Sequence, residues 1–293
     1  MIKINVASQN FSAACPVDCR YCVITEVEYR AEAWRKKFLI GLNKAVTILN
    51  PPPVREDEKA LASFYNFPLE LLEGDRVGFN AISDPFWSKY RPELEWFLEK
   101  VAPIAKAVIC VTKFPVSESM MKRLALVPNF QLNVSITGLD SIERTTTKSR
   151  LRTLALAHEC GVLAFPTIHP YIAGMADLSF LKELRAIGFK YVDVKGLRYD
   201  SSMENWMPQV SKEFYQGTQG SEILPEDGWR EKVLDSGLSL KSLRVWGQEN
   251  AKTSPNLSLG EATNRVNELL RYANITSSDT DESVISSAIE RRL

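Results

Sequence analysis

Three cysteines near the amino terminus have the chemistry and the spacing to hold a metal centre. Cys15, Cys19 and Cys22 lie within eight consecutive positions, in the order Cys-x3-Cys-x2-Cys. Cysteine thiolates are the usual protein ligands of iron–sulfur clusters, and three thiolates on four irons leave one iron open. An open coordination position distinguishes catalytic metal sites from closed structural ones. The spacing therefore predicts a multi-iron centre that takes part in a reaction.

The same cysteines allow three other interpretations: a zinc knuckle, a redox switch or a chance grouping. Zinc needs a fourth Cys or His at a ligand-like spacing, and the two histidines, His158 and His169, lie far along the chain. The other cysteines, Cys110 and Cys160, are predicted to be buried structural thiols. Five cysteines with three in one group do not resemble a secreted disulfide framework, so we expect a reducing, cytoplasmic compartment.

Alternating apolar runs and helical patterns predict the elements that position these residues. Predicted strands are residues 3–7, 76–82, 107–112, 131–137, 163–168 and 191–196. Predicted helices between them include residues 92–104, 117–126, 147–159 and 178–187, two of which end at the C-cap glycines Gly161 and Gly188. Strands and helices in alternation predict an α/β fold with a parallel sheet. Strand starts about 30 residues apart predict a partial (β/α)6 TIM-type barrel with a C-terminal extension.

The predicted barrel core covers residues 1–200, and the extension covers residues 201–293. An insertion at about residues 23–75 interrupts the core. Its first part, 29–49, has a helical and basic pattern that is broken at residues 51–53, which are all proline. In the extension, a helix is predicted to begin near Pro225, and the Ser/Thr-rich end around 274–283 is predicted to be mobile.

Composition excludes a strong general attraction to nucleic acids or anionic membranes. The chain has 36 basic and 36 acidic residues, so its formal net charge is zero. The hydrophobic fraction of 45% is that of an ordinary globular protein. No apolar run approaches the roughly 18 residues that span a bilayer, and no signal peptide is evident, so we expect no membrane association.

Residues that close the predicted strands are candidates for ligand binding, because barrels bind ligands at the carboxyl ends of their strands. Asp84 follows the second strand, Lys113 follows the third, and Ser135 and Thr137 end the fourth. A carboxylate suits an ammonium group, an ammonium suits a carboxylate, and hydroxyls suit ribose or carboxylate oxygens. The alternatives are a turn-forming Asp before Pro85 and ordinary strand-end residues.

The ends of strands five and six supply candidates for catalysis: His169, Lys195 and Arg198. His169 suits acid–base chemistry because an unperturbed histidine titrates near neutrality. Lys195 and Arg198 suit an anionic group. The alternatives are a strand-end histidine with a satisfied hydrogen bond and ordinary ion pairs.

These features resemble the radical S-adenosylmethionine superfamily. Its signature is Cys-x3-Cys-x2-Cys with an aromatic residue before the last cysteine, which is Tyr21 here. Across about residues 1–200 the chain looks like the branch that includes spore photoproduct lyase. The matching features are Asp84-Pro85-Phe86, Thr112-Lys113 and Ser135-Ile136-Thr137.

The resemblance implies a [4Fe–4S] cluster on the three cysteines, with S-adenosyl-L-methionine on its open iron. It implies reductive cleavage of that cofactor to a 5′-deoxyadenosyl radical, which abstracts hydrogen from a substrate. Asp84 is then expected near the methionine amino group, Ser135 near the carboxylate or ribose, and backbone around Tyr21 near the adenine. The chemistry also implies an electron donor such as flavodoxin or ferredoxin.

Several functions stay open. A small metabolite or nucleotide is the substrate we expect, because about 14 residues before the first cysteine leave no room for an N-terminal peptide-recognition domain. Nucleic acid is the alternative that the resemblance favours and the zero net charge opposes, although residues 30–37 contain four basic side chains on one predicted helix face. A peptide substrate is a further alternative. In a different class, the protein is an iron–sulfur sensor or binding protein without radical turnover.

Overall fold

The computed structural model describes residues 2–4, 15–22, 69–79, 83–218 and 221–252. Most of the predicted insertion, including its basic helix and its three prolines, lies outside the described residues. The same holds for the predicted mobile end. The chain forms two compact units. Of the described residues, unit 1 contains 2–4, 15, 69–79, 83–110 and 251–252, and unit 2 contains 16–22, 111–218 and 221–250.

Unit 1 is built on parallel strand pairing. Strand β1 (Ile2–Ile4) pairs with β2 (Arg76–Phe79), and β2 pairs with β3 (Ala107–Thr112), whose last two residues belong to unit 2. Short 3-10 turns cover Leu69–Leu72 and Ser88–Tyr90. The helix Arg91–Trp96 continues into a π-helical turn, Phe97–Val101. The apolar side of this helical segment packs on the sheet, where the Phe79 and Phe97 ring centroids are 5.1 Å apart.

Unit 2 contains a second run of parallel strands: β4 (Phe130–Ser135), β5 (Ala164–Ile168), β6 (Tyr191–Val194) and β9 (Ser239–Leu240). The connecting helices are Glu118–Ala125, Thr147–Glu159 and Leu181–Ile187. Strand β7 (Leu197–Arg198) pairs antiparallel with β8 (Glu222–Ile223). The remaining helices are the 3-10 helix Ser201–Asn205 and the α-helices Gln209–Lys212, Trp229–Asp235 and Leu243–Glu249.

The predicted α/β fold is confirmed, and all six predicted strands occur in the predicted order. The helix Thr147–Glu159 and the strand Ala107–Thr112 have the predicted bounds. Both predicted C-cap glycines have a positive φ. The region after residue 200 also contributes β9, a strand too short to give a sequence pattern, which pairs in parallel with β6. The domain boundary at residue 200 stays a prediction.

Strand β4 and most of β5 are buried because helices cover a parallel sheet. Every residue of β4 is buried, and Val134 and Ile168 are fully so. Register places Ser135 opposite Thr167, so these polar side chains share one face at the carboxyl ends of β4 and β5. Among the residues that the structure describes, no helix combines the length and the apolar character that crossing a membrane requires.

A glycine fixes the approach of two loops at this edge of unit 2. Gly138 follows β4 with φ +67°, and its carbonyl oxygen accepts a hydrogen bond from the Asp177 backbone N–H at 3.0 Å. A Cβ atom at Gly138 would lie 2.0 Å from the Asp177 carbonyl oxygen. Since backbone atoms cannot yield as a flexible side chain does, this position requires glycine for space as well as for conformation.

Gly138→Ala should therefore destabilise the protein more than Gly161→Ala, its matched control. Gly161 has a similar φ of +72°, but a Cβ there meets nothing within 4 Å. The control should lose about 1–2 kcal/mol of unfolding free energy from the left-handed backbone alone. Gly138→Ala should lose about 1–3 kcal/mol more from the added clash. Chemical denaturation of both variants checks this, and equal losses would contradict it.

Candidate functional site

The cysteine loop, residues 16–22, belongs to unit 2 and is held there by alternate side chains. Val17, Cys19 and Tyr21 are buried, whereas Asp18 and Arg20 between them are exposed. Asp18 has φ +45°, a left-handed conformation that Asp adopts more readily than most residues. This turn lets successive residues point into and away from the protein, so the loop has a defined inner side.

Backbone hydrogen bonds and an ion pair hold the loop against the segment that follows β4. The Arg144 backbone N–H donates to the Val17 carbonyl oxygen at 3.3 Å, and the Arg20 N–H donates to the Ile142 carbonyl oxygen at 3.4 Å. The Arg144 guanidinium also lies 2.6 Å from an Asp18 carboxylate oxygen. The loop therefore lies at the carboxyl end of β4, where barrel enzymes carry their chemistry.

The last two cysteines share a tight turn. The Cys22 backbone N–H donates to the Cys19 carbonyl oxygen at 2.9 Å. Cys19 is buried, and Cys15 and Cys22 are partly exposed. In residue type and spacing the three thiols suit an iron–sulfur cluster. Within the described part of the chain, however, no three Cys, His, Asp or Glu side chains are grouped to hold a metal ion, so the cluster stays a prediction.

Lys113 is the centre of a polar cluster at this edge. Its Nζ donates to Ser135 Oγ and to the His169 carbonyl oxygen, each at 2.7 Å, and Ser135 Oγ donates to the same carbonyl at 2.8 Å. The Lys113 Nζ also lies 5.3 Å from the centroid of the Tyr21 ring, within the range of a cation–π contact. Lys113 thus connects Ser135 at the end of β4 and His169 after β5 to the cysteine loop.

A buried ion pair supports Lys113 from the protein side. The side chains of Glu143 and Arg150 are 0% exposed, and Arg150 Nη1 pairs with Glu143 Oε2. Thr137 Oγ1 donates to the same carboxylate oxygen at 2.8 Å. The other oxygen, Glu143 Oε1, lies 3.4 Å from Lys113 Nζ. Glu143 therefore stands between two cations, one fully buried and one with a partly exposed side chain.

The Arg150 guanidinium donates hydrogen bonds to several other groups in this cluster. Nη1 donates to Thr137 Oγ1 at 3.0 Å, and Nη2 donates to Thr145 Oγ1 at 2.6 Å and to its carbonyl oxygen at 3.0 Å. Nε donates to the Lys113 carbonyl oxygen at 3.4 Å. These bonds satisfy the buried cation and fix the loop residues on either side of Glu143.

Burial raises the pKa of Glu143 to about 7, against the lowering effect of Arg150. The cause is the loss of water around a charged carboxylate. Near neutrality this carboxyl group is therefore in exchange between its charged and neutral forms.

The structure brings together four of the five residues predicted to bind a cofactor: Tyr21, Lys113, Ser135 and Thr137. The Thr137 hydroxyl is engaged with Glu143 and Arg150, so its contact with a ligand stays a prediction. The fifth predicted residue, Asp84, belongs to unit 1.

Asp84 is buried, and its Oδ1 accepts a hydrogen bond from the Phe86 backbone N–H at 3.1 Å. This is the turn geometry expected of an Asp before proline. Burial, and secondarily Asp84, raise the pKa of the Cys110 thiol well above its ordinary value. Cys110 is thus buried, as predicted, and is held in its neutral form.

The three predicted catalytic residues have separate surroundings. His169 is exposed, and its carbonyl oxygen is what the cluster uses. Lys195 Nζ lies 3.7 Å from Asp193 Oδ2, and Arg198 Nε lies 4.0 Å from Glu222 Oε2. Burial raises the pKa of Asp193, against a hydrogen bond from the Leu243 backbone N–H. The catalytic roles of these residues stay predictions.

Glu143 and Arg150 are missing from the residues predicted by sequence. Arg150 begins a stripe of buried positions on the helix Thr147–Glu159 that continues through Leu154 and Ala157. A charged residue on an apolar helical stripe indicates a buried partner, and this is the pattern that points to Arg150. No local pattern identifies Glu143 as that partner.

No protein-family model matches this chain, and no curated protein matches it. Among solved structures, Streptococcus suis SuiB is similar with a TM-score of 0.45 and 10% sequence identity, covering 90% of this chain and 54% of SuiB. SuiB bound to S-adenosylmethionine gives a TM-score of 0.45 and 10% identity, covering 84% of this chain and 51% of SuiB. The chain spans about half the length of SuiB. We assign no ligand and no activity from a likeness of this degree.

Arg150→Met should destabilise the protein by about 3–5 kcal/mol near pH 8, because it leaves the Glu143 carboxylate buried without its main partner. Arg152→Met is the matched control, since Arg152 is exposed on the same helix. The control should change the unfolding free energy by no more than about 0.5 kcal/mol. Denaturant unfolding measures both, and equal effects would contradict a buried ion pair.

Glu143 should also give the protein a pH-dependent stability. Because its folded pKa of about 7 exceeds its ordinary value, the folded state binds the proton more tightly than the unfolded state. Its contribution is fully present below the unfolded pKa and is lost as the pH rises through about 7. Relative to Glu143→Gln, the wild type should lose up to about 3 kcal/mol of unfolding free energy between about pH 4.5 and 7. Parallel pH profiles for the two proteins would exclude this titration.

Proposed function

We propose that this chain is a radical S-adenosylmethionine enzyme. Cys15, Cys19 and Cys22 would hold a [4Fe–4S] cluster, and S-adenosyl-L-methionine would bind beside it. The observation that carries the proposal is the position of the cysteine loop. Tyr21, between Cys19 and Cys22, lies over Lys113 at the strand ends where that lysine meets Ser135.

Lys113 would recognise the carboxylate of the cofactor's methionine part, with Ser135 beside it. The Ser135 hydroxyl accepts a hydrogen bond from Lys113 and donates its one hydrogen to the His169 carbonyl oxygen, so it would hold the ammonium in place for the ligand. Arg150 and Glu143 keep Lys113 at this place from behind. The chain thereby orients the bound molecule, which is the protein's main task in cofactor enzymes.

Tyr21 supports the proposal from the cysteine side. Its ring is buried against Lys113, and its hydroxyl oxygen accepts and donates no hydrogen bond among the described residues. A buried hydroxyl without a partner is unusual and suits a site that a ligand completes. The ring and the neighbouring backbone would lie along the adenine side of the cofactor.

When bound, the cluster would supply the electron that cleaves the cofactor to methionine and a 5′-deoxyadenosyl radical. We propose a small metabolite or nucleotide as the molecule that loses hydrogen, and a flavodoxin or ferredoxin as the electron donor in a reducing, cytoplasmic compartment. His169, Lys195 and Arg198 would face that substrate. The zero net charge supports a small substrate over a nucleic acid, because a phosphate backbone requires an excess of basic side chains.

Anaerobically reconstituted protein, given dithionite and S-adenosylmethionine, should release 5′-deoxyadenosine. Cys19→Ala should abolish this product because it removes a thiolate ligand. Cys160→Ala is the matched control, since Cys160 caps the helix Thr147–Glu159 and has no part in the proposed site. Chromatography with mass detection measures the product.

Equal product from Cys19→Ala and the control would contradict the proposal. Absence of product from wild-type protein that holds a full cluster and binds the cofactor would instead favour an iron–sulfur sensor or binding protein. Oligonucleotide binding with a steep salt dependence would move the substrate to the nucleic-acid class.

A further inference from the structure

The two carboxylate oxygens of Glu143 have different surroundings among the described residues. Oε2 is held by Arg150 and by the Thr137 hydroxyl. Oε1 is buried, lies 3.4 Å from Lys113 Nζ, and accepts no hydrogen bond from the described residues. Half of this carboxyl group is therefore fixed, and the other half depends on Lys113 alone.

Lys113 connects that buried oxygen to the accessible side of the cluster. Its side chain is 17% exposed, whereas the side chain of Glu143 is 0% exposed. A ligand that reaches Lys113 from the accessible side therefore shares the ammonium group with Glu143. If the ligand carries a carboxylate, a second negative group then lies beside the ammonium group that faces Glu143 Oε1.

Arg150 cannot move to compensate for the added negative charge. Its guanidinium is held by Thr137, Thr145, Glu143 and the Lys113 carbonyl oxygen. A second negative charge near a buried carboxylate raises the pKa of that carboxylate, because little water is present to screen the two groups. The group that can respond is Glu143, since its free oxygen can hold a proton.

We propose that Glu143 couples the binding of a carboxylate-bearing ligand at Lys113 to the uptake of a proton. The inference rests on the proposed function, in that the methionine carboxylate of S-adenosyl-L-methionine is the ligand we assign to Lys113. It adds a regulation of that site: occupancy falls as the pH rises above neutrality. Glu143 acts through Lys113 and is a positioning residue.

The direction follows from linkage. The pKa of Glu143 is about 7 before binding, and a ligand carboxylate beside Lys113 raises it further. Binding therefore takes up protons, and by reciprocity protons favour binding. Affinity is highest below pH 7 and falls by up to about tenfold per pH unit between the pKa values of the free and the bound state.

Other groups that face the cluster do not predict this behaviour. Among the described residues, Lys113 and Arg150 are the charged groups that form ion pairs with Glu143, from the segment after β3 and from the helix Thr147–Glu159. Arg150 stays charged over the whole accessible range of pH. The competing source of a proton is His169, whose carbonyl oxygen binds Lys113 and whose side chain is exposed.

Isothermal titration calorimetry of the reconstituted protein with S-adenosyl-L-methionine tests the proposal without relying on turnover. Titrations near pH 7 in buffers of different ionisation enthalpy give the number of protons taken up per ligand. The uptake that belongs to Glu143 is the difference between the wild type and Glu143→Gln, because the α-amino group of the ligand, with an ordinary pKa of about 7.7–8, also exchanges protons. The wild type should take up a fraction of a proton more than the variant, since Glu143 is partly protonated before binding. Decarboxylated S-adenosylmethionine, which has no carboxylate, should show no such difference.

Variants identify the group that holds the proton. Glu143→Gln should bind the cofactor with only the proton exchange of the ligand's own α-amino group, and its Kd should rise less steeply with pH between about 6 and 8 than that of the wild type. Glu159→Gln, an exposed change on the helix Thr147–Glu159, and His169→Gln should both keep the wild-type uptake. If Glu143→Gln does not fold, the comparison of the two ligands on wild-type protein still decides whether a ligand carboxylate drives the uptake, and His169→Gln decides the competing source.

Failure of this inference and failure of the proposed function give different results. Cofactor binding with the same proton exchange in the wild type and Glu143→Gln, or with an added uptake that is lost in His169→Gln, would overturn the role of Glu143 and leave the proposed function standing. No binding of S-adenosyl-L-methionine in any buffer would overturn the proposed function and this inference with it.

Discussion

The buried ion pair of Arg150 and Glu143 is the interaction on which the rest of the site depends. Two charged side chains at 0% exposure need hydrogen bonds as well as each other. Thr137, Thr145 and the Lys113 carbonyl oxygen accept from Arg150, and the Thr137 hydroxyl donates to Glu143 Oε2. A pair of this kind adds little net stability, since desolvation offsets the attraction. Its effect is to specify position: each partner must be in place, or a charge is left buried alone.

That requirement fixes the loops at the carboxyl ends of the strands. Arg150 ties the segment after β3 to the segment after β4 through the Lys113 and Thr145 carbonyl oxygens. The next residue after Glu143, Arg144, binds the cysteine loop through Val17 and Asp18. A continuous set of contacts therefore connects Arg150, on the helix Thr147–Glu159, to the cysteine loop through Glu143 and Arg144. These contacts add to the burial of Val17, Cys19 and Tyr21 in holding the loop in a defined orientation.

The sequence was sufficient for the fold and for the strand-end part of the site. Apolar runs locate β3 to its exact bounds because a buried parallel strand is apolar along its whole length. Lys113 and Ser135 were predictable because strand ends meet at one edge of a parallel sheet. Glu143 was not predictable, since its partner Arg150 is seven residues away across a loop and a helix start, and only packing brings them together. Strand β9 was missed because two residues carry no periodicity.

The cysteine signature and the polar cluster are different kinds of support for one function. The first is a pattern of residue types, and the second is a set of contacts in the structure that stand without the pattern. Tyr21 and Lys113 connect the two, because a ring between two cysteines packs on the lysine that we propose binds a carboxylate. The proposed function depends on this pair being part of a cofactor site.

Electron paramagnetic resonance of the reduced, reconstituted protein tests this central claim most directly. A reduced [4Fe–4S] cluster gives a signal that depends on the ligands of each iron. The account predicts such a signal in the wild type, a change of that signal when S-adenosyl-L-methionine is added, and no change with added methyl acetate, which has neither an amino nor a carboxylate group. A signal that is absent, or that is unaltered by saturating S-adenosyl-L-methionine, would contradict it.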